Sequence, residues 1–540
     1  MMLSAILVSR RKRIAAFVLL IFLFASGLFD HSLWSSNDAR EGAMIQEMFR
    51  TSRWVTPIFN GKAYLEKPPL LHWAGLVLCN LFGTVNEGLV RLPAALFGFG
   101  AVFIAYLFGG AMGREAGGIA AAFMCATSVQ YFEYSKVVLT DTALTFMIML
   151  SLYLFWKAYC ATKHSWQLYA LFTVVSAFSF YAKGLLGPGI IWISVCAFLL
   201  YEHKWKLLFT LSLIFLPVFL IILAPWMFAL WKHGGINFIV TALWANQFGR
   251  FFSFHDPNLP LDPYFVHKEP ITYYLVNLPM RLMPWVLLVP PALVQWFRKG
   301  TPIRDKLALF LRIAFISIIL ILHLSSAKAT SYALPLFPIL FLMIGTWLQD
   351  AMITWTKIDR RLIGITATVL SICLLVTPLF YIVAYLLHLD IIWAPGAFTA
   401  TACLVLALLI SAIGLYSEFR LWQQYRQGLR AQIALPAIML FVSLFILNFS
   451  LIVPIYDYQR TYKPFAELVR GEIEKGRHIA LASDEERECG QFMFYLNRRL
   501  DIATVTNNLV SFLTISDVPV GAIVPTKHLT NALQRLSDSS

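Results

Sequence analysis

The run Tyr64-Leu65-Glu66-Lys67-Pro68-Pro69 sets a carboxylate beside an ammonium and closes the pair with two prolines, in a 540-residue chain that is 59% hydrophobic and 13% charged. The polar stretch around it also carries Asn37, Asp38, Arg40, Glu41, Arg50 and Arg53. Ionisable groups at a membrane edge are costly, so their first reading is functional. Lysine and arginine hold a phosphate by charge-assisted hydrogen bonds. Neutralising that phosphate makes it a better leaving group, and a carboxylate on the same face can deprotonate an attacking hydroxyl. Sugar transfer from a lipid phosphate carrier fits these parts.

The elements that must position these groups are membrane helices. Soluble domains carry roughly 25% charged residues, far more than this chain. Segments 14–29, 207–230, 307–324 and 433–453 approach or exceed the ~20 apolar residues that cross a ~30 Å hydrocarbon layer, and a helix satisfies its own backbone there. Fourteen candidate segments start near residues 14, 76, 95, 117, 140, 168, 184, 207, 276, 305, 333, 362, 396 and 433; with the weakest, at 76, read as interfacial, the sequence predicts about thirteen spans. The Arg10-Arg11-Lys12-Arg13 cluster faces the cytoplasm by the positive-inside rule. Alternation from there puts most basic loops inside and leaves Arg40, Arg50, Arg53, Lys62, Lys67, Lys136, Lys183, Arg250, Lys268 and Lys328 outside. For any one of these, snorkelling to the interface is the bland alternative.

Several classes fall away. The seven cysteines are scattered without metal or disulfide spacing. The net charge of +14 is accounted for by cytoplasmic loops and by attraction to anionic membrane lipids, and nothing in it points to nucleic acid. Ser26-Gly27 imitates a signal cleavage site, but a polytopic chain favours a retained first helix. His31, His72, His255 and His323 lack ligand spacing and read as structural. No cofactor is indicated, with a divalent metal left open.

The ordered set Asn37-Asp38-Ala39-Arg40, Gln46-Glu47-Met48, Trp54-Val55-Thr56-Pro57, Gly61 and Tyr64-Leu65-Glu66-Lys67-Pro68-Pro69 resembles the first outer loop of the aminoarabinose (4-amino-4-deoxy-L-arabinose) lipid A transferases, relatives of the protein O-mannosyltransferases. The resemblance continues through Asp141, Lys183-Gly184, residues 246–251, Pro284-Trp285 and residues 325–335. It implies an all-α polytopic membrane protein of the type C glycosyltransferase fold. It further implies Asp38 and Asp141 as catalytic acids, and Arg40, Tyr64, Glu66, Lys67, Lys183, Arg250, Lys328 and Tyr332 as contacts to carrier phosphate and sugar. The chain departs from the family where Asp-Glu-x-Arg is usual: Asn37 takes the leading acid's place, which leaves Asp38.

Bland readings stand beside these. Asp141 could cap its helix, and Lys183-Gly184 could be a helix-end signal. Residues 1–455 are expected to form the membrane domain, with a first outer loop at about 31–75 and a second at about 233–275 that orders over the site. Residues 456–540 turn polar and read as a small periplasmic α/β domain: an amphipathic helix near 462–474, a strand at 479–482, a helix at 489–497 and a strand at 522–524. The expected function is transfer of a sugar from a polyprenyl (undecaprenyl) phosphate carrier to a lipid or protein acceptor at the periplasmic face of the bacterial inner membrane, aminoarabinose to lipid A being one instance. Protein O-glycosylation, another envelope glycan transfer, or transport of a lipid-linked sugar are the alternatives.

Overall fold

A computed structural model describes residues 10–163, 165–252, 269–298, 306–353, 356–386, 400–427 and 460–503, together with shorter stretches of the tail and single positions such as Asp457. The predicted span at 433–453 lies outside the described residues apart from isolated positions.

The chain is dominated by helices. Among the described residues, four are long and apolar enough to cross a membrane: Glu87–Ala111, Thr140–Cys160, the run Trp205–Gly249 and Lys306–Leu324. The number rises to six if two bent pairs each count as one span. Shorter apolar helices, Leu70–Phe82, Glu115–Ala126 and Leu186–Tyr201, fill in between them. Aromatic packing ties the bundle together where no water competes: Phe155 meets Phe172, Phe198 and Phe310 at centroid separations of 5.5, 6.1 and 5.3 Å. Such pairs add to simple area burial.

The first helix runs Arg10–Ala25, so the basic cluster lies inside its first turn rather than ahead of it. Arg13 reaches Glu115 at 2.9 Å and pins this end to the start of the Glu115–Ala126 helix.

The first outer loop is itself mostly helical. Ser35 caps the helix Ser36–Thr51 by accepting from the Asp38 backbone at 3.1 Å. A two-strand turn, β1 (Ile58–Phe59) against β2 (Lys62–Ala63), leads into the Glu66/Lys67 pair. Pro69 then occupies the N-cap of Leu70–Phe82. The prolines thus start a helix, since proline has no N–H to lose there and cannot sit deeper.

The expected loop at 233–275 is corrected in its first part. Trp205–Ile239 passes a kink at Gly234 and Gly235 and continues as a π-helix, Val240–Gly249, then a turn Arg250–Phe252. Apolar and aromatic side chains (Phe238, Ile239, Trp244, Phe248) sustain the helix where composition alone suggested a loop. Residues 253–268 lie outside the described residues.

At the carboxyl end, helix Lys463–Glu474 precedes a parallel three-stranded sheet in the order β4-β3-β5, where β3 is His478–Leu481, β4 Asp501–Ile502 and β5 Val520–Ile523. Helix Glu486–Leu496 leaves β3 and packs on the first-loop helix Ser36–Thr51. There Met493 and Phe494 join Leu33, Ala39, Ala43 and Val90 in one buried apolar cluster.

Candidate active site

A cavity of about 310 Å³ opens where the first loop, the Phe180–Lys183 turn, the π-helix and the segment after Lys306–Leu324 meet. Its polar wall holds Glu66, Lys67, Lys183 and Tyr332; Ile190, Ile193, Phe248, Phe251 and Ile321 make a much larger apolar wall. The space is a charged head continued by a greasy channel.

Lys183 ends a short helix, and Gly184 follows at φ +65 with its N–H donating to Phe180 O at 2.7 Å. A side chain at 184 would strike Gln247 Oε1 at 1.7 Å. That same oxygen accepts from the Leu185 N–H at 3.1 Å, so the turn and the π-helix lock together. The helix-end reading of Lys183-Gly184 holds, yet the lysine does more than face a dipole. Its ammonium pairs with Asp141 and lies 3.8 Å from the Tyr332 ring centroid. Asp141 sits in the first turn of Thr140–Cys160 without capping it by its side chain.

Lys67 is held from the other side. Its Nζ donates to Glu41 Oε1 at 3.0 Å. Glu41, fully buried, also takes Arg40 at 2.7 Å and lies 2.7 Å from His72 Nε2. Burial alone would push the Glu41 carboxyl up, but Lys67, Arg40 and His72 outweigh it and hold the group well below the usual carboxylate range. Arg40 moves the opposite way: burial disfavours its charge, while Tyr64, Glu41, Glu66 and Glu486 raise its pKa well above the ordinary value.

Asp38 and Arg40 are not on the cavity wall. Asp38 is 0% exposed. Its Oδ2 accepts from Arg91, whose Nε is at 3.0 Å, and its Oδ1 accepts from Val138 N at 2.9 Å. Arg91 in turn donates to the carbonyls of His31 and Ser32 at 2.8 and 2.6 Å. Asp38, the residue expected as an acid that meets substrate, is thus engaged by a buried guanidinium and a backbone N–H in this structure, and it is not among the residues lining the cavity. It stitches the first loop to Glu87–Ala111 and to the strand-like approach to Asp141. Asn37, the departure from the family pattern, is exposed and accepts from Arg40 at 3.1 Å. Arg40 itself forks onto Glu486 at 2.7 and 2.6 Å, with its guanidinium 5.2 Å from the Tyr64 ring.

Lys328 turns its ammonium onto the carbonyls of Ser325 and Glu269, at 2.5 and 3.2 Å, and is not among the residues lining the cavity. Arg250 opens the turn Arg250–Phe252 beside the cavity residues Phe251 and Phe252; its side chain lies outside the described residues. Glu66, Lys67, Lys183 and Tyr332 are therefore the expected residues that the fold converges.

Two residues were missed. Glu41 and His72 read from the sequence as part of a polar stretch and as a structural histidine. The available signal was a carboxylate directly after Arg40 and opening the small, apolar run Gly42-Ala43-Met44-Ile45, which places it on a buried helix face. Among the described residues no group of three or more His, Cys, Asp or Glu is arranged to hold a metal ion.

Comparison with known proteins agrees with the motif reading. The family described as dolichyl-phosphate-mannose-protein mannosyltransferase matches residues 66–231. An undecaprenyl phosphate-alpha-4-amino-4-deoxy-L-arabinose arabinosyl transferase of Pseudomonas fluorescens is 25% identical over 379 residues, 68% of this chain and 62% of that protein. The enzyme of that name from Edwardsiella ictaluri is 25% identical over 332 residues, 61% and 58% of the two chains. The chain thus spans about 60% of the length of the curated relatives it matches. In structure it resembles ArnT from Cupriavidus metallidurans in a crystal bound to undecaprenyl phosphate, with a TM-score of 0.72 over 97% of this chain and 95% of that one at 16% identity. The apo form of that protein gives 0.69 over 96% and 93% at 17% identity. In sequence a relative of the aminoarabinose arabinosyl transferases, the chain also shares the fold of ArnT.

Proposed function

We propose that the chain transfers a sugar from a polyprenyl phosphate carrier to a hydroxyl acceptor at the outer face of the bacterial inner membrane, with aminoarabinose and lipid A as the first donor and acceptor to test. The observation that carries this reading is the cavity: two lysines and a tyrosine at one end, a continuous apolar wall at the other. A phosphate needs the first and a prenyl chain the second. The named activity of the sequence relatives supports the same donor.

In this reading Lys67 and Lys183 bind the carrier phosphate. The acceptor oxygen attacks the anomeric carbon, the bond from that carbon to the phosphate oxygen breaks, and the carrier phosphate leaves with the electron pair, its charge met by the two ammonium groups. The acceptor proton goes to a carboxylate at the cavity; Glu66 is the acid on its wall. Direct attack of this kind inverts the anomeric centre. Asp141 and Glu41 orient the two lysines, and Asp38 holds the loop that carries the site. Residues 1–455 form the membrane part and 456–540 lie on the periplasmic side, where Glu486 clasps Arg40.

The test uses the full chain in lipid nanodiscs with undecaprenyl phosphate-aminoarabinose and lipid A, alongside other carrier-linked sugars and serine- and threonine-bearing peptides. Transfer by the native protein that falls by on the order of 10²-fold in Lys67→Ala and in Lys183→Ala is the expected result. Absence of transfer from every carrier-linked donor, or transfer indifferent to both lysines, overturns it. Which acceptor works decides between lipid and protein glycosylation.

A further inference from the structure

A second cavity, of about 560 Å³, lies in the carboxyl-terminal region. It is bounded by Leu481 at the end of β3 and by Ile523, Val524 and Pro525 at the end of β5, with Glu485, Arg487, Glu488 and Phe492 from the loop and helix after β3, and Tyr462 and Phe465 beside them. In the order β4-β3-β5, the chain leaves β3 for β4 on one side and returns to β5 on the other. The crevice outside the carboxyl ends of such strands, where the winding reverses, is where open parallel sheets take their ligands.

The lining contains unspent polarity. Glu488 is 5% exposed, and its Oε2 is buried with no hydrogen-bond partner among the described residues; Arg487 Nε is in the same position. The other ends of these groups are only loosely engaged, Glu488 Oε1 accepting from the Tyr462 hydroxyl and Arg487 donating to it, both at 3.4 Å. A buried carboxylate oxygen left unpaired is unfavourable, so the site is built for a donor that arrives from outside. Around these groups stand three aromatic rings: Tyr462 stacked on Phe492 at 5.5 Å and Phe465 edge-on to Phe492 at 6.0 Å.

The charge pattern selects the ligand. The stretch from the end of β3 through the first turn of the Glu486–Leu496 helix has no glycine and carries Asp484, Glu485, Glu486 and Glu488, of which Glu486 is engaged by Arg40. Phosphate and other anions are repelled by this set, while a purely apolar ligand would leave the carboxylate and guanidinium unpaired. A sugar ring satisfies both demands: its hydroxyls donate to a carboxylate and accept from a guanidinium, and its C–H faces lie on aromatic rings.

We propose that this cavity is a saccharide-binding site, Glu488 and Arg487 pairing with ring hydroxyls and Phe465 and Phe492 forming the platform. The proposal concerns binding and stands whether or not the chain transfers sugar. Saturation-transfer NMR on the full chain, in phospholipid nanodiscs free of sugar-based detergent, tests it with methyl β-D-glucoside, ethanolamine and inorganic phosphate as separate probes. The expected result is saturation of the glucoside ring protons by the native protein, about ten-fold weaker binding in Glu488→Gln, weakened binding in Phe465→Ala, and no change in Lys67→Ala. Phe465 is 44% exposed, so its variant reports on the platform even if Glu488→Gln melts early. Glucoside saturation that is absent, or unchanged in both cavity variants, or lost in Lys67→Ala, overturns the proposal, as does binding confined to ethanolamine or to phosphate.

Discussion

At the scale of single residues, neighbouring carboxylates and lysines divide into groups that meet the cavity and groups that hold the first group still. Lys67 and Lys183 face open space, each against a carboxylate that neutralises it from behind. Glu41 is the clearest case of a holding residue. Its folded pKa lies well below the ordinary 4.5, so the stability it contributes is fully present above that value and is lost as pH falls through the depressed folded value. Thermal melts across pH 7 to about 3 should therefore show an acid limb in the native chain that Glu41→Gln largely removes, on top of a general loss on the order of 3 kcal/mol from stranded buried cations. A variant whose acid limb matches that of the native chain would sink the assignment. Asp38→Asn and Lys67→Ala should separate in the same assay. The first weakens an ion pair in which both side chains are 0% exposed and lowers the melting temperature along with activity. The second removes one of three partners of the buried Glu41, so it shifts the melt less than Glu41→Gln does and shows itself chiefly as weaker carrier binding.

At the scale of elements, the site depends on turns that only certain backbones can make. Gly184 sits at φ +65 and ψ −147, a region closed to residues with a Cβ, and Gln247 fills the space where that atom would stand. Gly184→Ala should cost about 1–3 kcal/mol and weaken carrier binding by moving Lys183 and the π-helix together. Equilibrium melts and binding of undecaprenyl phosphate measure the two effects, and unaltered carrier binding would show that the turn does not set Lys183. Gly490 plays the matching part at the carboxyl end, where an added Cβ would lie 2.5 Å from the Ala39 carbonyl carbon and 2.7 Å from Arg40 N. Gly490→Ala is expected to lift the Glu486–Leu496 helix off Ser36–Thr51, a change that proteolysis between the two segments would reveal.

At the scale of the whole molecule, the carboxyl-terminal segment is part of the site's scaffold rather than an appendage. It closes an apolar cluster over the first loop and reaches Lys67 through Glu486, Arg40 and Glu41 in sequence. A chain ended at residue 462 should consequently aggregate on size-exclusion chromatography, because Leu33, Ala39 and Val90 lose their cover. The milder Glu486→Gln should remain monodisperse and bind the carrier less tightly. A well-behaved, fully active truncation would contradict this coupling.

Much of this is legible in the sequence. Apolar length and the scarcity of charge implied a helical membrane protein, and the ordered first-loop motif pointed to relatives that sequence and fold comparison then bore out. The tail's strand and helix positions came from short alternating and amphipathic stretches, and the structure reproduces them within a few residues. Local signals of this kind depend on neighbours in sequence, where periodicity and proline or glycine placement act directly. Which cations each buried carboxylate meets was not local. Asp38 and Glu41 lie three apart on one helix and look alike as sequence. Arg91 neutralises one, and Lys67 and His72 join the adjacent Arg40 round the other; Arg91, Lys67 and His72 are brought in by helix packing over separations of tens of residues. Glu486 on Arg40 is more remote still. Sequence composition and motif determined the kind of chain and the set of charges it keeps. Tertiary structure alone decided which of those charges are spent on each other and which are left for a ligand, because in a low-dielectric interior that choice depends on what lies within hydrogen-bond reach.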